Sequence, residues 1–380
     1  MNKRFITFLL IARWTSAVVA LMYHARFLLF VDYDAVQAKT ALSKGFYFLT
    51  GLGHESFAVF FVVDGILGGL ILLHGRAGTP AGRGPVLRYV GALYRILLPG
   101  LLLGASLDLA GARFFNGSGL YTAFPAFSTL SLSYSSLLGN VFMLQPFVVP
   151  TFGSNGMLYL LSYLYWSFIL MFLLVHATRL TQPRARQVLP ALLLAAVLLI
   201  MPAPFLAWAA TWLAGVAVVA LGAARVPKPP VLAGLVLFGG ALLLSRLAGA
   251  DTSLLAPPFG AWLIQCKYLL VGIGFAVLAW SLYPAEPRLR AIGIADGRAG
   301  QAAAFAFFCH FPVLMLLVAM ATTLGQPLMQ QPTPARYAGF ACLVGACLLS
   351  TALVARATAP TVRAMAPKRW RRDDAQASGS

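Results

Sequence analysis

Apolar residues run through this chain in stretches of about twenty, the length a helix needs to cross a bilayer's hydrocarbon core. Ten such stretches can be counted, at about 5–30, 55–75, 89–111, 157–178, 187–202, 204–224, 230–248, 259–283, 301–324 and 336–358. The fifth and sixth are short and are parted only by Met201, Pro202, Ala203 and Pro204, a tight re-entry. The pattern predicts an all-α fold, a polytopic membrane bundle of about ten transmembrane helices over 1–360. A basic tail, 361–380, follows it, and no internal repeat is visible. The longest connection, about 112–156, is nearly uncharged and rich in Ser, Phe, Tyr and Pro. A structureless loop of that length is uncommon unless it has a use, so it is expected to pack over the bundle, with a short helix around Ser135–Leu144.

Composition agrees with the pattern. The chain of 380 residues is 60% hydrophobic and only 10% charged, against about a quarter charged in soluble domains. Its mean hydropathy is +0.83. The first apolar stretch is interrupted by Arg13, His24 and Arg26 and leads into no soluble domain, so it reads as a retained helix rather than a cleaved signal. The four cysteines, Cys266, Cys309, Cys342 and Cys347, all lie in apolar runs without metal-ligand spacing, and read as reduced packing residues.

The net charge of +18 would suggest nucleic acid in a soluble protein. Its placement gives another meaning. With the N-terminus inside, Arg76, Arg83, Arg88, Arg179, Arg184, Arg186, Arg225 and Lys228 all fall in cytoplasmic connections, as do Arg288, Arg290, Arg298 and the basic tail. The opposite side keeps only Lys39, Lys44, Arg113, Arg246 and Arg336. This asymmetry predicts both termini in the cytoplasm and the 112–156 segment outside. The basic pI then reports topology, and nucleic acid is not an expected partner.

The chemistry is concentrated where charge is costly. Ionisable groups at bilayer depth cost roughly 2.5–3.5 kcal/mol each on insertion scales and rarely persist without a use. His24 stands eleven positions after Arg13, which on a helix returns it to within ~20° of the same face, about 16 Å further along. His54 and Glu55 sit at the outer start of the second span, while Asp64, Lys267 and His310 fall near mid-depth. Asp64 reads equally well as a counter-charge to Arg13 or Lys267 and as a group with a direct role. Lys267 and Arg26 are more simply explained by snorkelling or pairing, and Cys309 beside His310 points about 100° away from it on a helix. No P-loop, HExxH, Rossmann fingerprint or GxSxG elbow is present, so nucleotide and zinc hydrolysis are not expected. No metal is predicted.

At these residues the chain resembles the acyltransferase family 3 membrane proteins, which transfer acyl groups onto cell-envelope carbohydrates. Arg13 and His24 match the family's first-helix Arg, ten residues, His pattern. GHESFAVFFVVDGILGG (53–69) is similar to its second-helix run of paired Phe before Ser-Gly, and ALYRILLPG (92–100) to the arginine-rich entry of helix three, keeping Arg95 and Pro99. The runs 137–147 and 153–166 are similar to the external loop and following helix, and FAFFCHFPVLML (305–316) to the late His-x-Pro helix at His310 and Pro312. The departures are Asp64 for the family Ser, Ala92 for the first helix-three Arg, Tyr159 and Leu160 for Trp-Ser, and Leu164 for a Glu.

The resemblance implies transfer of an acyl group, with acetyl first in line, from acyl-CoA across a bacterial inner membrane to a hydroxyl of an exopolysaccharide or other envelope glycan. His24 would be the base and Arg13 would stabilise the oxyanion or orient the thioester. Glu55, His54, Asp64 and Asn155 would orient His24 or meet the acceptor, and Arg76, Arg88 and Arg95 would hold the donor's phosphates. His310 and Lys267 are further candidates. Acyl-CoA enters as donor substrate and no bound cofactor is expected. A transporter or flippase using the same charges as a relay is the rival reading, and an inactive family member assisting polysaccharide assembly is a third, motivated by Leu164.

Overall fold

A computed structural model of the protein describes residues 3–73, 83–123, 131–145, 147–178, 183–247, 259–284 and 297–365. Those residues are almost entirely helical: α1 (Lys3–Leu29), α2 (Ala41–Thr50), α3 (Gly53–Leu73), α4 (Arg83–Phe114), α5 (Leu120–Ala123), α6 (Tyr134–Val141), α7 (Leu158–Ala177), α8 (Arg184–Ile200), α9 (Ala203–Ala223), α10 (Val231–Leu247), α11 (Phe259–Ser281), α12 (Arg298–Thr323) and α13 (Pro334–Met365). Among the described residues there is no strand, and one isolated bridge joins Phe30 to Gln330. A helix occupies each of the ten apolar stretches, and seven spans are long and apolar enough to cross a membrane. The described parts of α10 and α11 are apolar but shorter, and α8, at 17 residues, has no buried residue.

The bundle is built around α3. Its sequence is apolar on every side, so it presents no polar face to water and belongs at the centre; nearly every residue from Gly53 to Leu72 is buried. Helices α1, α9 and α11 pack around it, and α12 closes the other side of α1. The peripheral α8 and α13 instead carry large exposed aliphatics, such as Leu192, Leu199, Leu349 and Leu353, as lipid-facing surface requires.

The α3–α9 contact depends on two missing side chains. A Cβ on Gly65 would lie 2.0 Å from the Trp212 carbonyl oxygen, and one on Gly215 would lie 2.1 Å from the Val62 oxygen. The backbones can meet at this distance only because both residues are glycine. Next to the crossing, Asp64 is buried and accepts from Trp212 Nε1 at 3.0 Å and from the Tyr89 hydroxyl. This carboxylate therefore ties α3 to α9 and α4.

A second buried carboxylate, Asp108 on α4, accepts from the Ser154 backbone N–H at 2.7 Å and from its hydroxyl at 2.6 Å. It pins the extended segment that enters α7. Gly153 reaches its left-handed φ of +72° beside that carboxylate, where a Cβ would stand 2.5 Å from Asp108 Oδ2. The 112–156 connection is thus partly structured, with α5, α6 and the Asp108 clamp, and α6 starts where Ser133 accepts from the Ser136 N–H.

Candidate functional site

His24 lies near the C-terminal end of α1, between α3 and α12. Its ring is stacked at 6.4 Å from Phe57 and meets Phe311 edge-on at 5.3 Å. Its Nδ1 is 3.0 Å from Nε2 of His310, which is fully buried on α12. His310 Nδ1 in turn is 2.9 Å from the carbonyl oxygen of Ala306.

This chain fixes where the protons sit. A carbonyl oxygen can only accept, so His310 Nδ1 carries the hydrogen and its Nε2 offers a lone pair. His24 Nδ1 must then donate to that lone pair, which leaves the lone pair of His24 on Nε2. The Ala20 backbone, one turn back on α1, is a second hydrogen-bond partner of the His24 ring; among the described residues no side chain hydrogen-bonds to His24 Nε2, and the residue is only partly buried. The result is an imidazole held in one tautomer and one orientation, with its basic nitrogen open to an incoming group. Pro312, two residues on, cannot donate to the Phe308 carbonyl, so the turn that carries His310 lacks one backbone hydrogen bond.

The rest of the predicted set divides. Arg13 is buried, with Cζ 5.1 Å from the Phe60 ring centre. Phe60 stacks on Phe307 at 4.1 Å, and Phe307 meets Phe57 at 5.5 Å. Three aromatic rings therefore stand between Arg13 and His24, and the unbroken α1 sets them about 16 Å apart along the axis. A chain of aromatic contacts through Phe60, Phe307 and Phe57 thus links Arg13 to His24. Glu55 is buried and accepts from Ser245 of α10 at 2.7 Å. Among the described residues the side-chain hydrogen bond of His24 is with His310, and none joins it to Glu55 or His54.

His54 does belong to the neighbourhood. It stacks on Tyr268 at 5.2 Å and lies 5.4 Å from Tyr23, which sits 5.2 Å from His24. Lys267 lies with Nζ 5.2 Å from the Tyr268 ring and faces Glu55 electrostatically. Tyr159 of α7 faces Tyr23 and Tyr268. Tyr23, His54, Tyr159 and Tyr268 are each partly accessible and gather beside His24. Tyr23 and Tyr268 carry no charge and sit in no motif, and Tyr159 stood out only as a departure from Trp-Ser, which is why the sequence did not single them out as site residues; the adjacency of Tyr23 to His24 was the available signal.

Asn155 is fully buried on the other flank of α12, close to Cys309, Gly100 and Gly104. Its amide faces the Cys309 thiol, and it does not join the His24 cluster. Arg88 is exposed and Arg95 half-buried on α4; seven residues apart, they share one face of that helix. Arg76 lies outside the described residues. Leu164, where a Glu was expected from the resemblance, is fully buried in the core. No group of three or more metal-ligating side chains occurs among the described residues.

Comparison of the chain with protein-family models, with curated proteins and with solved structures gave no match.

Proposed function

We propose that the protein is a membrane-embedded O-acyltransferase. It would carry an acyl group, acetyl first in line, from acyl-CoA on the cytoplasmic side of a bacterial inner membrane to a hydroxyl of an exopolysaccharide or other envelope glycan outside. The observation that carries this reading is the His24–His310–Ala306 chain, which leaves a lone pair on an accessible imidazole nitrogen deep in an apolar bundle. The motif resemblance at Arg13, His24, Arg95, His310 and Pro312 supports the same chemistry.

In this reading the acceptor hydroxyl gives its proton to His24 Nε2 as its oxygen bonds to the thioester carbonyl carbon. The carbon–sulfur bond then breaks, and the departing thiolate takes the proton back from His24. His310 keeps the ring oriented and shares the positive charge while His24 is protonated. Arg13, a fixed forked donor one aromatic stack away, suits a polar group of the donor's extended arm. Arg88 and Arg95 suit its phosphates.

The ten helices are read as ten spans with both termini cytoplasmic, which the asymmetry of basic residues supports. Mass spectrometry of envelope glycans from matched strains with and without the gene tests the function. An acyl group missing only in the deletion strain is expected. Identical glycans would reject the activity and leave the transporter reading.

A further inference from the structure

Contacts beside His24 lead through Tyr23 to Arg26, at the end of the bundle formed by the C-terminus of α1, the N-terminus of α3 and the C-terminus of α10. Three cations gather there. Arg26 lies with Cζ 5.8 Å from the Tyr23 ring and 5.2 Å from the Tyr47 ring. Arg246 is laid over the α2–α3 turn, where a Cβ on Gly51 would be 2.5 Å from its Nη2. Its only carbonyl contacts among the described residues are long, 3.4 Å to Gly51 and 3.5 Å to Tyr47. Lys267 completes the group across from Glu55.

These charges repel one another: Arg246 is within electrostatic reach of both Arg26 and Lys267. Two carboxylates face them. Glu55 is committed to Ser245, and Asp32 is near Arg26 without a hydrogen bond to it. Among the described residues neither arginine makes an ion pair, and the Nε of each is buried with no acceptor. Half-buried guanidinium groups held by ring faces and distant carbonyls are poorly satisfied, since N–H donors removed from water cost energy until an acceptor meets them. A small turn of either side chain toward an anion would replace those weak contacts with charge-assisted hydrogen bonds. The adjoining rings of Tyr23, His54 and Tyr268 offer flat, partly polar faces to the body of the same molecule.

We propose that this mouth binds an anionic sugar, one bearing a carboxylate or phosphate near the hydroxyl presented to His24, so that the acceptor is an acidic glycan. The inference rests on the acyltransferase reading only for the word acceptor. Anion binding is measurable with no donor present, so the two can fail separately.

The test uses the full chain in nanodiscs of phosphatidylcholine, with glucuronate, glucose 1-phosphate and glucose as probes at matched ionic strength. Binding is read by thermal shift and by tryptophan fluorescence, since Trp208 stacks on Tyr268 at 6.1 Å. Glucuronate or glucose 1-phosphate should bind with saturation, and glucose at least about tenfold more weakly, as expected from losing a charge-assisted bond. Arg26→Gln and Arg246→Gln should each weaken the anionic sugar about tenfold, whereas Lys44→Gln, an exposed cation at the same end, should not. Equal binding of glucose, or equal effects of all three substitutions, would overturn the proposal. So would occupation by anionic lipid, seen as loss of sugar binding to the wild-type chain in nanodiscs containing phosphatidylglycerol.

Discussion

His24 Nδ1 and His310 Nε2 stand 3.0 Å apart although 286 residues separate them in the chain. Two imidazoles at that distance share a single proton, and the Ala306 carbonyl decides which ring holds it. His310 therefore acts on His24 as a fixed acceptor does, choosing tautomer and orientation. In the proposed reaction it would be a positioning residue for His24.

His310→Ala should lower turnover by about 10²-fold or more, in the range that loss of positioned acid–base catalysis gives, with a smaller change in KM. His310→Gln, whose side-chain oxygen can accept from His24 Nδ1, should recover part of the loss. Steady-state kinetics of the purified variants decide this. Equal losses for Ala and Gln would show that His310 serves packing alone.

Arg13→Lys should act differently. The stack of Phe57, Phe307 and Phe60 separates Arg13 from His24, so its loss is expected chiefly as a raised KM for acyl-CoA. A compact ammonium cannot reproduce a planar fork, and about a tenfold rise is expected for one charge-assisted contact. A fall in kcat at unchanged KM would return Arg13 to the reacting atoms.

Much of the architecture was legible from hydrophobic run length, because a bilayer imposes a nearly fixed span. A helix lies at each predicted stretch, and the short helix expected around Ser135–Leu144 is present as Tyr134–Val141. The first-helix pair was legible from spacing alone, since helical geometry fixes where Arg13 and His24 point. What joins different helices was not. Nothing in the local sequence says that His310 returns to His24, that Glu55 turns to Ser245, or that Asp64 accepts from Tyr89 and Trp212. Each depends on how helices are arranged and rotated about their axes, which is set by close contacts such as Gly65 against Trp212.

That crossing is testable by itself. Gly65→Ala should destabilise the protein by about 3 kcal/mol or more, because the new methyl group meets a backbone oxygen that cannot rotate away. Gly239→Ala, at a helical site where a Cβ meets nothing within 4 Å, should be neutral or raise stability by up to about 1 kcal/mol. Thermal unfolding in one detergent compares the two. Equal melting temperatures would contradict the close α3–α9 contact.

The central claim is that His24 Nε2 takes the acceptor proton during acyl transfer. Its most direct test is transfer of isotopically labelled acetyl from acetyl-CoA to envelope glycan by the purified chain in proteoliposomes, with wild type beside His24→Ala. Both proteins are expected to insert and fold, which thermal unfolding checks beside the assay. Wild type should label the glycan and His24→Ala should not. Labelling at the wild-type rate by a correctly folded His24→Ala protein would contradict the account.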